Sequence, residues 1–314
     1  MDAWKRILKI ELTSYTLGQQ IVLGGKETDN LYINVNGSKY PALLKDGGVI
    51  TVKNLPYSTI VKIIVGRFYK IRIIAGYEGS DPKNKGQGMT IFDGSVSFIS
   101  NKINPTRDSE CYINFASDVV AMYSQNRMNL ALNSSINLYS AFEYICTRSG
   151  MRSVHIDPEL KKTFLNEAKA YYASASTILN SQALQGGEYT LSSDGSEGTV
   201  IDVTTRKGKR LIALNSRDIP FLNQPTVSSE GLSFTILPIF SFKIGDIVQM
   251  DNSIIDISSA AAEAKNVFNS NYMDTNGQYM IIKIDYQLQN RDHNFQFKIQ
   301  ARALDIISKI EVNQ

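Results

Sequence analysis

The sequence predicts a mainly β protein with a small α+β module in its middle. Three observations carry this. Up to about residue 118, short runs of β-branched and aromatic residues recur at the roughly 8–12-residue spacing of all-β domains. From about 119 to 200 the period turns helical, with cap chemistry at the ends. From about 201 the strand pattern returns. The expected division is 1–118, a first β-barrel; 119–200, the middle module; and 201–314, a second β-barrel with an insertion at about 251–276.

In the first region the strand candidates are Ile33 to Val35, Val49 to Val52, Ile60 to Val65, Phe68 to Ala75, Val96 to Ile99 and Cys111 to Phe115. Turn chemistry separates them at Asn36-Gly37, Asp46-Gly47-Gly48, Asn54 to Pro56, Gly66 and Gly76. Gly94 to Ile99 and Cys111 to Phe115 make one expected hairpin, with Asn104 to Asp108 in its loop.

In the middle, Ser135 is placed to cap a helix in which Leu138, Phe142 and Ile145 recur, and Gly150 to stop it. Asp157-Pro158-Glu159 is a second helix start: a capping carboxylate, proline in the first turn, and an acid near the positive end. Leu160, Phe164 and Tyr171 then share a face, the helix frays among Ala173 to Ser176, and a short turn follows at Ile178-Leu179. Gln185 to Gly187 and Ser192 to Ser196 read as loops.

In the last region, Asp202 to Thr205 and Leu211 to Leu214 flank Arg206 to Arg210, which reads as a solvated hairpin tip. Phe295, Phe297, Ile299 and Ala301 alternate with Gln296, Lys298, Gln300 and Arg302 in a strict period of two. The partner of this strand is Tyr279 to Leu288, across Gln289 to Asp292. The insertion Asp251 to Asn276 has an alanine-rich middle, Ser258 to Ala264, and reads as partly helical. The two β regions echo one another. Glycine, strand, Arg-Asp turn, strand and alanine follow in order from Gly94 to Ala116 and from Gly277 to Ala301.

Composition excludes several classes. Apolar residues make 43% and charged residues 20%, an ordinary globular balance rather than that of a disordered chain. The 33 Lys and Arg against 30 Asp and Glu leave +3, too small a surplus for a dedicated nucleic-acid binder. The two cysteines, Cys111 and Cys146, make neither a disulfide framework nor a four-cysteine zinc site; their apolar neighbours mark them as buried thiols of a reducing compartment. Met1 to Thr13 lacks the apolar core of a signal peptide, and Lys62, Arg67, Lys70 and Arg72 interrupt the most apolar stretch, so no membrane segment is expected.

Catalytic and ligand motifs are missing as well. Gly24-Gly25-Lys26-Glu27 has Gln20 where a phosphate loop needs its first glycine, and Glu27 where it needs a hydroxyl. The glycines at 76, 79, 86 and 88 follow a strand but precede no helix. Asp274 to Gly277 lacks the ligand spacing of a calcium loop. His155 reads as a polar residue just before a helix cap and His293 as a surface turn residue. No catalytic, cofactor-binding or metal-binding residue is assigned.

What remains is architectural and resembles a family. Tyr69 to Tyr77, ending Ala-Gly-Tyr, followed by Phe92-Asp93-Gly94-Ser95-Val96, resembles the first barrel of the baseplate hub proteins of contractile phage tails, the late-control protein D-like and VgrG N-terminal hub-like family. The second half is similar in the same way. An apolar strand runs to Pro238, a Gly-Asp-x-Val turn follows at Gly245 to Val248, and Gly277-Gln278-Tyr279 leads to the final hairpin. The helix from Leu138 to Gly150 resembles the one that opens the family's middle module. The resemblance implies two tube-type β-barrels flanking a helix-containing insertion, and a structural, non-enzymatic role. It implies a homotrimeric ring that adapts a six-fold tail tube to a three-fold spike and lines the channel for DNA passage. The implied partners are the tail tube protein or tube initiator, a central spike protein, the tape-measure protein and neighbouring baseplate wedge proteins, in a virion assembled in the host cytoplasm. A hub at the base of a siphophage tail fibre and a tail-tip cell-wall hydrolase are the alternatives.

Overall fold

A computed structural model describes residues 5–25, 31–40, 46–78, 88–103, 109–117, 127–148, 153–165, 167–174, 178, 189–194, 197–202, 209–214, 221–228, 231–256, 274 and 276–304. The expected loops at 104–108 and 185–187, the stop at Gly150, the tip at 206–208 and the centre of the 251–276 insertion lie outside these residues.

The chain opens with two strands ahead of the first run expected, β1 (Arg6–Thr13) and β2 (Gln20–Gly24). Alternation builds β1: Leu8, Ile10 and Leu12 are buried between half-buried polar neighbours. β3 (Tyr32–Lys39), β4 (Gly47–Lys53), β5 (Lys70–Tyr77), β6 (Met89–Ile103) and β7 (Ser109–Ala116) complete the region. β6 and β7 form the expected hairpin.

Ile60 to Val65 is not a strand but the end of helix α1 (Tyr57–Val65). Asn54, at φ 57°, turns the chain, Pro56 starts the helix, and the amides of Thr59 and Ile60 donate to the Pro56 carbonyl. Ile60 and Ile63, three apart, are the residues it buries. The β-branched content that favours a strand is outweighed by these local turn residues. Asn36-Gly37 and Gly76 are likewise not turns; they lie inside β3 and β5.

The middle segment contains β8 (Arg127–Leu132), α2 (Leu138–Arg148), β9 (Ser153–Ile156), β10 (Lys169–Ser174), β11 (Tyr189–Asp194) and β12 (Glu197–Asp202). Asn137, not Ser135, caps α2, its Oδ1 accepting the Ser140 amide at 2.8 Å. Asp157 caps as expected, accepting the Glu159 amide at 3.1 Å, but only one 3₁₀ turn follows, Pro158–Lys162. Thr163 is already extended, Phe164 is exposed, and Tyr171 and Ala173 belong to β10, which pairs antiparallel with β8. Ser192 to Asp194 also lie in a strand, paired with Glu197 to Thr199. A separate apolar cluster, including Leu130, Phe142, Ile145, Cys146 and Leu160, sits within this segment.

The second β region holds β13 (Leu211–Leu214), β14 (Thr226–Ser228), β15 (Gly231–Ile236), β16 (Ile247–Met250), β17 (Gln278–Gln289) and β18 (Phe295–Ala303). Among the described residues Leu211 to Leu214 does not pair with β12: β13 runs parallel to β16, while β12 pairs with β11 and β9. The terminal hairpin is as expected, with every second residue of β18 buried from Phe295 to Ala303. Among the described residues no helix is long and apolar enough to cross a membrane.

The two β regions share one sheet, whose path runs β14-β15-β18-β17-β3-β4-β7-β6-β5-β1-β2, with β16 on β17 and β13 on β16. One apolar cluster extends through both. Within the path the same four-strand order occurs twice, as β3-β4-β7-β6 and as β14-β15-β18-β17. The registers agree. A bulge skips one residue between Val96 and Phe98, opposite Phe115 and Asn114, and one between Ile281 and Lys283, opposite Ala301 and Gln300. Phe115 pairs with Gly48 and Ala301 with Leu232, one position after Gly47 and Gly231. Both glycines have positive φ, and a Cβ on either would strike a carbonyl, that of Phe115 at 2.3 Å or of Ala301 at 2.4 Å. The counterpart of Ala301 is therefore Phe115 rather than Ala116, a one-residue correction to the sequence echo that restores the phase of burial.

Candidate functional site: the seam of the two β regions

The alternation that buries Ile33 and Val35 in β3 turns Asn34 and Asn36 to the other face, and β17 does the same with Asp285 and Gln287. These strands meet antiparallel, from Ile284 opposite Lys39 to Gln289 opposite Asn34. This is the joint between the two β regions.

Three groups of contacts hold it. On the buried side, Tyr286 lies over Gly37, where a Cβ would stand 2.4 Å from its Cε2. Its ring also stacks on Phe115, with 6.5 Å between centroids and 18° between planes. On the polar side, Ser38 donates to Asp285 Oδ1 at 2.6 Å, and Lys283 Nζ meets Asp285 Oδ2 at 2.7 Å. That hydrogen bond raises the Lys283 ammonium above its ordinary pKa, and the same ammonium lies 5.0 Å from the Tyr40 ring centroid.

At the hairpin tip, Asn290 acts as an extra strand residue. Its amide donates to the Ile33 carbonyl at 3.1 Å, its Oδ1 accepts the Ile33 amide at 2.9 Å, and its Nδ2 donates to the Leu31 carbonyl at 2.7 Å. Arg6 donates to the Asp292 carbonyl and lies 5.2 Å from the Phe295 ring centroid. Tyr77 meets the Phe295 ring edge-on at 5.4 Å. Tyr32 donates to Asp292 at 3.0 Å; burial, and then this carboxylate, raise its phenol.

The polar face of the joint is rich in neutral amides and hydroxyls. Asn34, Asn36, Thr51, Asn114, Gln287 and Gln296 all lie on it, exposed or half-buried. A groove of about 320 Å³ runs between Asn36, Ser38, Asp285, Gln287, Gln296 and Lys298. Such a surface forms many exchangeable hydrogen bonds and presents little net charge.

The residues weighed in the sequence fall elsewhere. His155 is exposed on β9, and His293 is exposed in the β17–β18 turn. Cys111 and Cys146 are buried, and neither is in a disulfide. Among the described residues no group of His, Cys, Asp or Glu is arranged to hold a metal. Asp274 is fully buried and accepts the amides of Asn276, Gln278 and Leu304 at 2.8, 3.1 and 3.2 Å, closing the end of the insertion. The charged run is not all solvated: Lys209 Nζ meets Asp157 Oδ2 at 2.5 Å, each side chain 7% exposed, and Arg210 grips Asp246 in the Gly-Asp-x-Val turn. Lys209 and Asp157 thereby tie the middle segment to the start of β13. The only sequence signal for this was a cation and an acid, each beside a strand or cap.

The fold is one shared with phage tail proteins. It matches the 43 kDa tail protein of prophage MuSo2 from Shewanella oneidensis at a TM-score of 0.52, with 10% identity over 97% of this chain and 98% of that one. It matches a tail protein from Neisseria meningitidis MC58 at 0.56, with 7% identity over 97% and 98%. It also matches a chain of the Francisella PdpA–VgrG complex at 0.55, with 8% identity, covering 97% of this chain and 54% of that one. No protein-family model and no curated protein sequence matches the chain.

Proposed function

We propose that this protein is a structural hub subunit of a phage tail baseplate, with two tube-type β units per chain, one in 1–118 and one in 201–314, and the middle module between them. Three chains form a ring of six similar units that adapts a six-fold tail tube to a three-fold spike. The tail tube protein or its initiator, a central spike, the tape-measure protein and the baseplate wedge are its partners, and DNA passes through without sequence-specific binding. Its role is assembly rather than catalysis, and its place is the virion, after assembly in the host cytoplasm.

The observation that carries this is the tandem four-strand order, joined edge to edge at β3 and β17. A repeat with a donor edge and an acceptor edge is the element from which closed rings are built. Likeness to tail proteins over nearly their whole length supports the setting. The amide-rich face supports a channel wall, because beside Lys298 and the Lys283–Asp285 pair it presents mainly neutral amides, which offer a passing polyanion few fixed cations to grip. Mass photometry of the purified chain, alone and with its cognate tube protein, tests the reading. A stable three-chain species supports it, and a strictly monomeric chain that captures no tube protein refutes it.

A further inference from the structure

Helix α1 is apolar over more of its surface than the chain itself covers. Ile60 and Ile63 are the residues it buries. Tyr57, Val61, Ile64 and Val65, at the i, i+4, i+7 and i+8 positions of one helical face, stay in solvent, Tyr57 by 72% and Val65 by 76%. The turn between β1 and β2 extends this surface. Ser14 Oγ donates to the Gly66 carbonyl at 2.5 Å and the Tyr15 amide to the Arg67 carbonyl at 3.4 Å. Tyr15 and Leu17, both exposed, therefore stand beside the end of the helix. Nearly half of the large apolar side chains exposed among the described residues lie here. A patch so concentrated marks an interaction surface, unlike the ordinary scatter of single exposed side chains.

The charges around the patch have one sign. Lys62, on the flank of the exposed face, and Arg67, in the turn after the helix, both face solvent. No acid occurs from residue 12 to 26 or from 54 to 77. The carboxylates of the adjoining strands are engaged elsewhere: Glu11 with Lys9 and Arg72, Asp93 with Arg72, and Glu110 with Lys53. The surface is apolar with a cationic border. We propose that it docks an amphipathic helix of another protein. That helix lays an aliphatic stripe along Tyr57, Val61, Ile64 and Val65 and sets carboxylates opposite Lys62 and Arg67. Nothing in this depends on a three-chain ring.

A helix fits better than a strand, because the backbone bonds of α1 run within the helix and leave no ladder edge to extend. What the patch offers is a ridge of side chains. Val61, Ile64 and Val65 are β-branched and stiff, so packing into the groove of a partner helix costs them little rotamer freedom. A bilayer fits less well: adhesion to anionic lipid takes clusters of about four to eight basic residues, and Lys62 and Arg67 are only a pair. A second copy seated face to face would set these two cations against their own counterparts, with no acid in the patch to relieve them.

Fluorescence anisotropy with the full chain tests the proposal. The probe is a synthetic helix of about 18 residues with leucines along one face and glutamates on its flanks, beside a twin carrying lysines in their place. The glutamate helix should bind at least about tenfold more tightly than the lysine twin, since like charges across an interface are costly. Val61→Gln with Ile64→Gln, both at exposed positions, should lower that affinity about tenfold or more and leave the circular dichroism spectrum unchanged. Lys62→Glu with Arg67→Glu should reverse the preference between the two helices. Equal binding of the twins overturns the proposal, as does binding that survives the glutamine pair, or no binding of either helix. Sedimentation with phosphatidylglycerol vesicles that the glutamine pair abolishes overturns it in favour of a bilayer. Self-association in mass photometry that the same pair abolishes overturns it in favour of a second copy.

Discussion

Tyr286 lies flat across Gly37, its Cε2 2.4 Å from where a Cβ would be. The ring belongs to the last hairpin and the glycine to the third strand, so a single side chain spans the joint between the two β regions. Gly48, opposite Gly37, leaves the same space for the Phe115 ring. Gly37→Val should therefore push Tyr286 off the sheet and cost about 2–4 kcal/mol, in the range of severe overpacking. Asn36→Ala, on the polar face, should stay within about 0.5 kcal/mol. Thermal unfolding of the two variants checks the contrast.

The final strand gives a second contrast. Phe297 is 3% exposed, whereas its neighbour Gln296 faces the groove and donates to Gln287 at 3.3 Å. Phe297→Asp should cost several kcal/mol, roughly the penalty for a buried group left without a partner, and Gln296→Asp should cost about 0.5 kcal/mol or less. Equal midpoints in urea would refute the alternation argument.

A third test concerns Asp157 and Lys209. Both side chains are 7% exposed, and they pair at 2.5 Å. Removing one partner, as in Lys209→Met, should cost about 3–5 kcal/mol, because the carboxylate stays buried without its cation. The double variant Asp157→Asn with Lys209→Met should recover much of that loss, and a double-mutant cycle measures the coupling.

The alkaline limit of stability supplies a fourth. Burial pushes the Cys111 thiol from 9.0 to about 11. Burial also takes the Tyr279 phenol from 10.0 to about 12, against the pull of the Asp274 amide that donates to it. Both folded-state values lie above the unfolded ones. The associated stability is therefore whole below about pH 9 and is lost as pH rises through about 11 to 12, by about 2–3 kcal/mol for each group. Urea midpoints should fall steadily from about pH 9 to about pH 11, and Cys111→Ala should flatten the first part of that slope.

What could be read in the sequence was local. β18 was legible because burial on alternate residues is written into nine consecutive positions. α1 was not, because Ile, Val and Thr dominate it as they would a strand; the left-handed Asn54 and the proline after it decided the matter. Leu211 to Leu214 was rightly a strand, yet its parallel partner starts at Ile247, far beyond the reach of turn chemistry. Asn36-Gly37 has the composition of a hairpin turn, and Tyr286, on the distant β17, together with the Gly47 carbonyl explains why a glycine sits inside the strand. The joint was illegible for the same reason, since both of its sides are ordinary amphipathic strands.

The matched bulges at Ser97 and Ile282, distinct from the one at Ile91 where β6 meets β5, set the twist of each block. A bulge bends its strand and steepens the local twist. Repeated at one register in both four-strand blocks, it makes each block a stave cut to the same bevel. The turn of the sheet from block to block is then set by the bevel of each stave and not by any long-range measure of its width. Lengthening a loop leaves that turn alone, whereas deleting Ser97 or Ile282 alters the bevel between one block and the next.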